Sequence, residues 1–119
     1  MIKNYSIILY IFIINVANTK PIYNENQLRS ILYNHSKINR DFPKILGIHF
    51  YNNKEGKVLQ LEFETDSINT EIIIVAMNYL AKVGQFSKTP LNNFIIINHY
   101  KGSDIPISYQ SNSDCAINY

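Results

Sequence analysis

Histidine and carboxylate side chains are the residues of this sequence best suited to proton transfer or polar recognition. His49 lies in one alternating segment, and Glu62 and Glu64 lie two residues apart in the next, with Asp66 continuing the spacing. Residues two apart in a strand point to the same side, so a hairpin would place His49 across from this carboxylate row. A His–carboxylate pair can transfer protons, and paired carboxylates can bind a hard cation. The alternative is that the row is only the solvated face of an amphipathic strand.

The histidines do not have the spacing of a metal site. His35, His49 and His99 form no HxxxH or HExxH motif, and the single cysteine, Cys115, is remote from them. A site shared by His49 and His99 would require their strands to be adjacent. The sequence also contains no GxSxG nucleophile motif and no glycine-rich phosphate loop. We therefore predict no metal and no cofactor.

Tyrosines offer a second kind of candidate site. Tyr51, Tyr100 and Tyr109 lie in or at the ends of predicted strands, and on an exposed sheet face they would form a recognition surface. The alternative is codon bias, because isoleucine, asparagine, lysine and tyrosine are all used heavily. The candidate binding residues are thus Tyr51, Tyr100, Tyr109, His49, Glu62 and Glu64.

A β-hairpin is predicted to position these residues. Residues 45–51 and 57–65 both alternate between apolar and polar positions, and a turn cluster with a glycine separates them. The predicted inward residues are Leu46, Ile48 and Phe50 in the first strand and Leu59, Leu61 and Phe63 in the second. The outward row of Gln and Glu indicates that one sheet face meets water.

Two helices flank the hairpin in the predicted order. Asn24 and Gln27 form a capping-box pattern in front of a helix over residues 25–39. A second helix is predicted over residues 68–83, with Asp66 and Ser67 as caps. The apolar stripe predicted for it consists of Ile68, Ile72, Val75, Ala76, Tyr79, Leu80 and Val83.

Two further strands complete the fold. Residues 94–100 are apolar on both sides until Asn98, which predicts a central strand. A last strand contains Ile105, Ile107 and Tyr109, and Pro106 within it suits an edge position. The order is α-β-β-α-β-β, two copies of a helix followed by a hairpin. We predict an α+β two-layer sandwich, with a four-stranded, mainly antiparallel sheet and both helices on one face.

The first residues have the pattern of an export signal. Lys3 precedes an eleven-residue apolar stretch, residues 7–17, which is long enough for a signal peptide and short for a membrane span. We predict a signal peptide over residues 1–19, a single domain over 20–110 and a polar tail over 111–119. The alternatives are an uncleaved N-terminal anchor, the only part of the chain for which we expect membrane contact, and a buried N-terminal strand. The lone Cys115 is either a free thiol on the tail or paired with another chain.

Composition narrows the class of function. The chain has 119 residues and a net charge of +2, and removal of residues 1–19 leaves ten basic and nine acidic residues. The electrostatic field of so small a net charge does not favour a nucleic-acid partner. We predict a secreted or periplasmic non-enzymatic domain that binds a protein or a small ligand. The alternative is a small hydrolase or cation-dependent enzyme that uses a His–carboxylate pair on the sheet.

Overall fold

The computed structural model describes residues 22–112 of the chain. Within them lie helix α1 (Glu25–Ile38), strands β1 (Lys44–Asn53) and β2 (Gly56–Thr65), helix α2 (Thr70–Gly84), and strands β3 (Asn93–Tyr100) and β4 (Ile107–Asn112). This is the predicted α-β-β-α-β-β order. The predicted signal peptide and Cys115 lie outside the described residues. None of the helices within residues 22–112 is long and apolar enough to cross a bilayer.

The four strands form one sheet in the order β1-β2-β3-β4. β1 pairs with β2, and β3 with β4, in antiparallel fashion, whereas β2 and β3 are parallel. A parallel pair needs a crossover connection, and α2 lies in that connection. The predicted mainly antiparallel sheet and the central position of β3 are confirmed.

The core lies between the helices and one face of the sheet. Helix residues Leu28 and Leu32 of α1 are fully buried, as are Leu61 and Phe63 of β2 and Ile96 of β3. All five belong to one contiguous hydrophobic cluster that also includes residues of α2. Both helices therefore cover the same sheet face, as predicted.

Helix α1 begins as its sequence pattern indicates. The Asn24 side chain accepts a hydrogen bond from the backbone N–H of Gln27, and the Gln27 side chain accepts one from the backbone N–H of Asn24. The capping box is therefore confirmed. The helix ends at Ile38, which is exposed, so the buried stripe stops one turn earlier than predicted.

Helix α2 differs from its prediction at its start and in its buried face. Asn69 is the N-cap and accepts from the N–H groups of Glu71 and Ile72, so the predicted caps at residues 66 and 67 are wrong. Val75, placed in the predicted stripe, is 60% exposed, and Ile68 precedes the helix. The buried residues are Ile73, Ala76, Met77, Leu80, Ala81 and Val83. Because residues 72–75 are all apolar, their pattern could not select the face that meets the sheet.

A β-bulge in β1 makes the predicted inward face of this strand wrong at its start. Ile45 pairs with Phe63 and Gly47 pairs with Glu62, so Leu46 is an extra residue on the β1 side. Ile45 is buried and Leu46 is 47% exposed, the reverse of the prediction. Beyond the bulge, Ile48 faces the core as predicted.

The last strand begins and ends later than predicted. Ile105 is exposed, and Pro106 directly precedes β4 instead of lying within it. β4 extends to Asn112 and so includes the first two residues of the predicted tail, of which Ser111 is buried. β4 lies at the edge of the sheet, so the edge position expected from Pro106 is confirmed.

Candidate functional site on the open sheet face

The sheet face opposite the two helices is the candidate site, and we call it the open face. Strand alternation and the pairing register place on it the side chains that point away from the core. These are Lys44, His49 and Tyr51 of β1, Val58, Gln60, Glu62 and Glu64 of β2, Asn93, Ile95, Ile97 and His99 of β3, and Ser108, Gln110 and Asn112 of β4. Of these, Val58 and Asn93 are buried. No described helix or strand covers the others.

At the centre of the open face, one carboxylate contacts two imidazoles. Glu62 Oε2 lies 3.0 Å from His49 Nε2, and Glu62 Oε1 lies 3.2 Å from His99 Nε2. Both distances are those of hydrogen bonds. The His49–carboxylate pair expected from the sequence is therefore present, and a second histidine joins it. We call these three residues the His–Glu–His triad.

Strand register explains why the three side chains converge. Glu62 pairs directly with Gly47 on β1 and with Ile97 on β3, so each histidine is two residues farther along its strand. Diagonal neighbours on one sheet face are within reach of long side chains. Because β2 separates β1 from β3, His49 and His99 meet the same residue without being on adjacent strands.

Gly47 leaves the space that His49 occupies. A Cβ atom added at Gly47 would lie 2.9 Å from His49 Nε2 and 3.4 Å from Glu62 Oε2. The first of these distances is shorter than real Cβ contacts, so any larger residue would displace the imidazole. The sequence pattern alone does not indicate a role for Gly47, because its position opposite Glu62 follows from the bulge in β1.

The two histidines keep Glu62 ionised. The hydrogen bond from His99 lowers the pKa of Glu62 below its usual 4.5, and the hydrogen bond and charge of His49 lower it further, while partial burial opposes the shift. An ionised carboxylate only accepts hydrogen bonds. Nε2 must therefore carry the proton on both rings, which leaves each Nδ1 as a hydrogen-bond acceptor when the ring is neutral.

A polar pair and an apolar strip flank the triad. The Tyr51 hydroxyl donates to Gln60 Oε1 at 2.9 Å, which fixes the ring against β2. Ile95 and Ile97 of β3 lie across from Gln60 and Glu62 and are half-buried. The open face thus combines fixed polar groups with apolar surface, a combination typical of recognition surfaces.

The three candidate tyrosines do not share a face. Tyr51 lies on the open face, but Tyr109 packs against the core, on the helix-covered side of the sheet. Tyr100 pairs with the buried Thr65 and alternates with Asn98, which places it on the helix-covered side as well. The expectation of one tyrosine surface is wrong, because β3 and β4 turn these two residues away from Tyr51.

The carboxylate row is shorter than expected. Glu64 lies across from Lys44 on β1 and from His99 on β3. Asp66 lies beyond the end of β2, where it forms an ion pair with Lys101 at 3.0 Å, so it is not part of the row. That ion pair raises the pKa of Lys101, chiefly through the hydrogen bond from its ammonium to Asp66.

The imidazoles of the triad are partly exposed to solvent. Five clefts of the described chain are lined by residues other than His49, Glu62 and His99. Within residues 22–112, no three His, Cys, Asp or Glu side chains are grouped so that they could hold a metal ion. The chain matches no protein-family model, no curated protein sequence and no solved structure.

Proposed function

We propose that this chain is an exported, non-catalytic domain that binds a protein partner through the open face of its sheet. The observation that carries the proposal is that both helices cover one face, while the other presents fixed polar side chains beside Ile95 and Ile97. A partner that covers this face would bury apolar surface and meet polar groups already held in place. Preorganised groups lose less freedom on binding.

The exposure of the triad favours a protein partner over a small ligand or a substrate. Small-molecule sites are concave and bury most of their ligand, and catalytic sites exclude water around the reacting atoms. The side chain of His49 is 54% exposed and that of His99 is 39% exposed. A broad protein surface can cover such exposed groups, whereas a small-molecule site would already enclose them.

Export is the second part of the proposal. The apolar stretch of residues 7–17 behind Lys3 supports a secreted or periplasmic location. Retention of the same stretch as an anchor would place the domain at the membrane surface instead. N-terminal sequencing of the mature protein separates the two, since a cleaved product begins close to Lys20 and an anchored one begins at or near Met1.

A hydrolase is the second candidate function, and the Glu62 contacts are the observation in its favour. A carboxylate that orients an imidazole is the arrangement of a general base that activates water. In that case His49 would take the proton, and Glu62 would stabilise the ring as it becomes charged. The test is turnover of ester and phosphoester substrates. A hydrolase requires a rate that the H49Q/H99Q double variant loses, and equal rates in both proteins exclude it.

Site-specific photocrosslinking tests the binding proposal directly. Tyr51 on the open face and Tyr33 on α1 are both 38% exposed, so they form a matched pair. A photoreactive phenylalanine analogue is placed at one position or the other in the full chain, which is then expressed in its own host. We expect one defined protein adduct from position 51 and none from position 33. Equal labelling from both positions, or no adduct from position 51, would overturn the proposal.

A further inference from the structure

We propose that the His–Glu–His triad makes binding by the open face acid-sensitive, with a partner rich in hydrogen-bond donors held at neutral pH and released on acidification. This inference rests on the proposed function, since it concerns the same face. Its basis is the sharing of one carboxylate by two imidazoles and the charges that surround them.

Glu62 determines which imidazole nitrogens of the triad donate hydrogen bonds and which accept them. Both imidazoles donate Nε2–H to its two oxygens, so each neutral ring presents Nδ1 as an acceptor. Within the described chain, no other residue forms a hydrogen bond with either ring. Protonation places a hydrogen on Nδ1 and turns both acceptors into donors. A partner that supplies donors at neutral pH would then face donors.

Acidification also changes the net charge of the open face, and this change opposes the same donor-rich partner. The other charged groups near the triad are Lys44 of β1, Glu64 of β2, and the Lys101–Asp66 pair at the ends of β3 and β2. Tyr51 is a further titratable group on β1, and the open-face side chains of β4, which are Ser108, Gln110 and Asn112, carry no charge. Together with Glu62, these groups give three carboxylates and two lysines, a net charge of −1 while both imidazoles are neutral.

Protonation of both rings changes that net charge to +1. Histidine is the side chain whose charge ordinarily changes between about pH 5 and 8, while Glu62 stays ionised because its pKa is lowered. A cationic, donor-rich surface is attracted to the neutral-pH face and repelled by the acidic one. Charge complementarity therefore selects a partner surface that carries arginine and lysine side chains.

A fluorescein-labelled hexa-arginine peptide provides a defined probe for this surface. Its binding to the full chain is measured by fluorescence anisotropy at about pH 7.5 and about pH 5.5, a range that spans histidine titration. We expect the wild-type affinity to fall at least about tenfold on acidification, and that of H49Q/H99Q to change less than about twofold. At neutral pH, E62Q should weaken binding, whereas E71Q, which alters an exposed carboxylate on α2, should not.

Each outcome separates one claim from the others. If H49Q/H99Q loses as much affinity on acidification as the wild type does, the switch is overturned. Absence of binding at neutral pH, or equal loss in E62Q and E71Q, overturns the donor-rich partner at the open face. Neither result depends on the photocrosslinking experiment. Absence of a protein adduct from position 51 overturns the proposed function, whatever the peptide binding shows. Circular dichroism of each variant at both pH values ensures that folded proteins are compared.

Discussion

His49 and His99 are hydrogen-bonded to opposite oxygens of the same carboxylate, although their strands are not neighbours in the sheet. Glu62 on the intervening strand links them. The three side chains therefore behave as one unit, in which the protonation of either ring is felt by the carboxylate that holds the other. The unit spans three of the four strands of the open face.

Substitution of Glu62 should reduce the acid sensitivity of folding. Its pKa is lowered in the folded protein, chiefly by the hydrogen bond from His99. Its contribution to stability is therefore present above the ordinary value of 4.5 and is lost as pH falls through the lowered value. Urea unfolding of wild type and E62Q should give a difference in free energy of unfolding that shrinks as pH is lowered from about 5 to about 2. A difference that stays constant across this range would contradict the assignment.

Substitution of Gly47 should separate one histidine from the triad and leave the other. The added methyl group of Gly47→Ala would meet His49 Nε2 at 2.9 Å, and the ring is exposed and can move away. The His99 contact should persist. Carbon-detected NMR titration of the Glu62 carboxyl group should then show its pKa raised partway towards 4.5. Because only an exposed ring moves, the free energy of unfolding should change by less than about 1 kcal/mol. An unchanged Glu62 titration would show that His49 does not contact it in solution.

Substitution of Asn98 should stabilise the fold. Its side chain is fully buried on the core face of β3, and within the described chain its amide nitrogen has no hydrogen-bond partner. Its oxygen lies 3.0 Å from the Thr65 hydroxyl, which also has an acceptor in the Ser67 carbonyl at 2.9 Å. Asn98→Val removes an unsatisfied group and leaves Thr65 paired, so we expect about 1 kcal/mol of added stability.

Thermal unfolding checks this expectation, with Thr65→Val as the matched variant. That substitution removes the hydroxyl and leaves both polar atoms of the Asn98 side chain without a partner among residues 22–112, so it should lower the melting temperature. A lower melting temperature for Asn98→Val would mean that the amide is satisfied in solution.

Arg29 protects the outer edge of β1. Its Nε atom donates to the Ile48 carbonyl at 3.4 Å, and its guanidinium lies 5.0 Å from the centre of the Phe50 ring. β1 is an edge strand, and unpaired backbone groups on a sheet edge can pair with another chain, so the Arg29 contact occupies a carbonyl of this edge strand. Arg29→Ala should therefore promote concentration-dependent self-association, measured by light scattering after size exclusion. Arg40→Ala, which removes an exposed arginine outside the strands, serves as control, and two equally monomeric variants would refute this role.

Much of the scaffold could be predicted because local patterns were unambiguous. Asn24 and Gln27 fixed the start of α1, and strict alternation around Leu59 and Phe63 fixed β2. The His49–Glu62 pair followed from the hairpin alone. In each case, residues close in sequence determine the geometry.

The remainder depends on contacts that single segments do not encode. Ile45 and Leu46 are both apolar, so only the pairing with β2 decides which one faces the core. His99 joins the triad because β3 runs parallel to β2, and a parallel register has no turn sequence to fix it. The separation of Tyr51 from Tyr100 and Tyr109 has the same origin, since it depends on how β3 and β4 are placed in the sheet.

The protonation state of the two imidazoles at neutral pH tests the central claim most directly. Long-range proton–nitrogen NMR correlations distinguish an imidazole protonated on Nε2 from one protonated on Nδ1, and His35, which stacks on Tyr79 away from the open face, provides an internal reference. We expect both His49 and His99 to be protonated on Nε2, with the two signals altered together in E62Q and that of His35 unchanged. Protonation of either open-face ring on Nδ1 would contradict the triad.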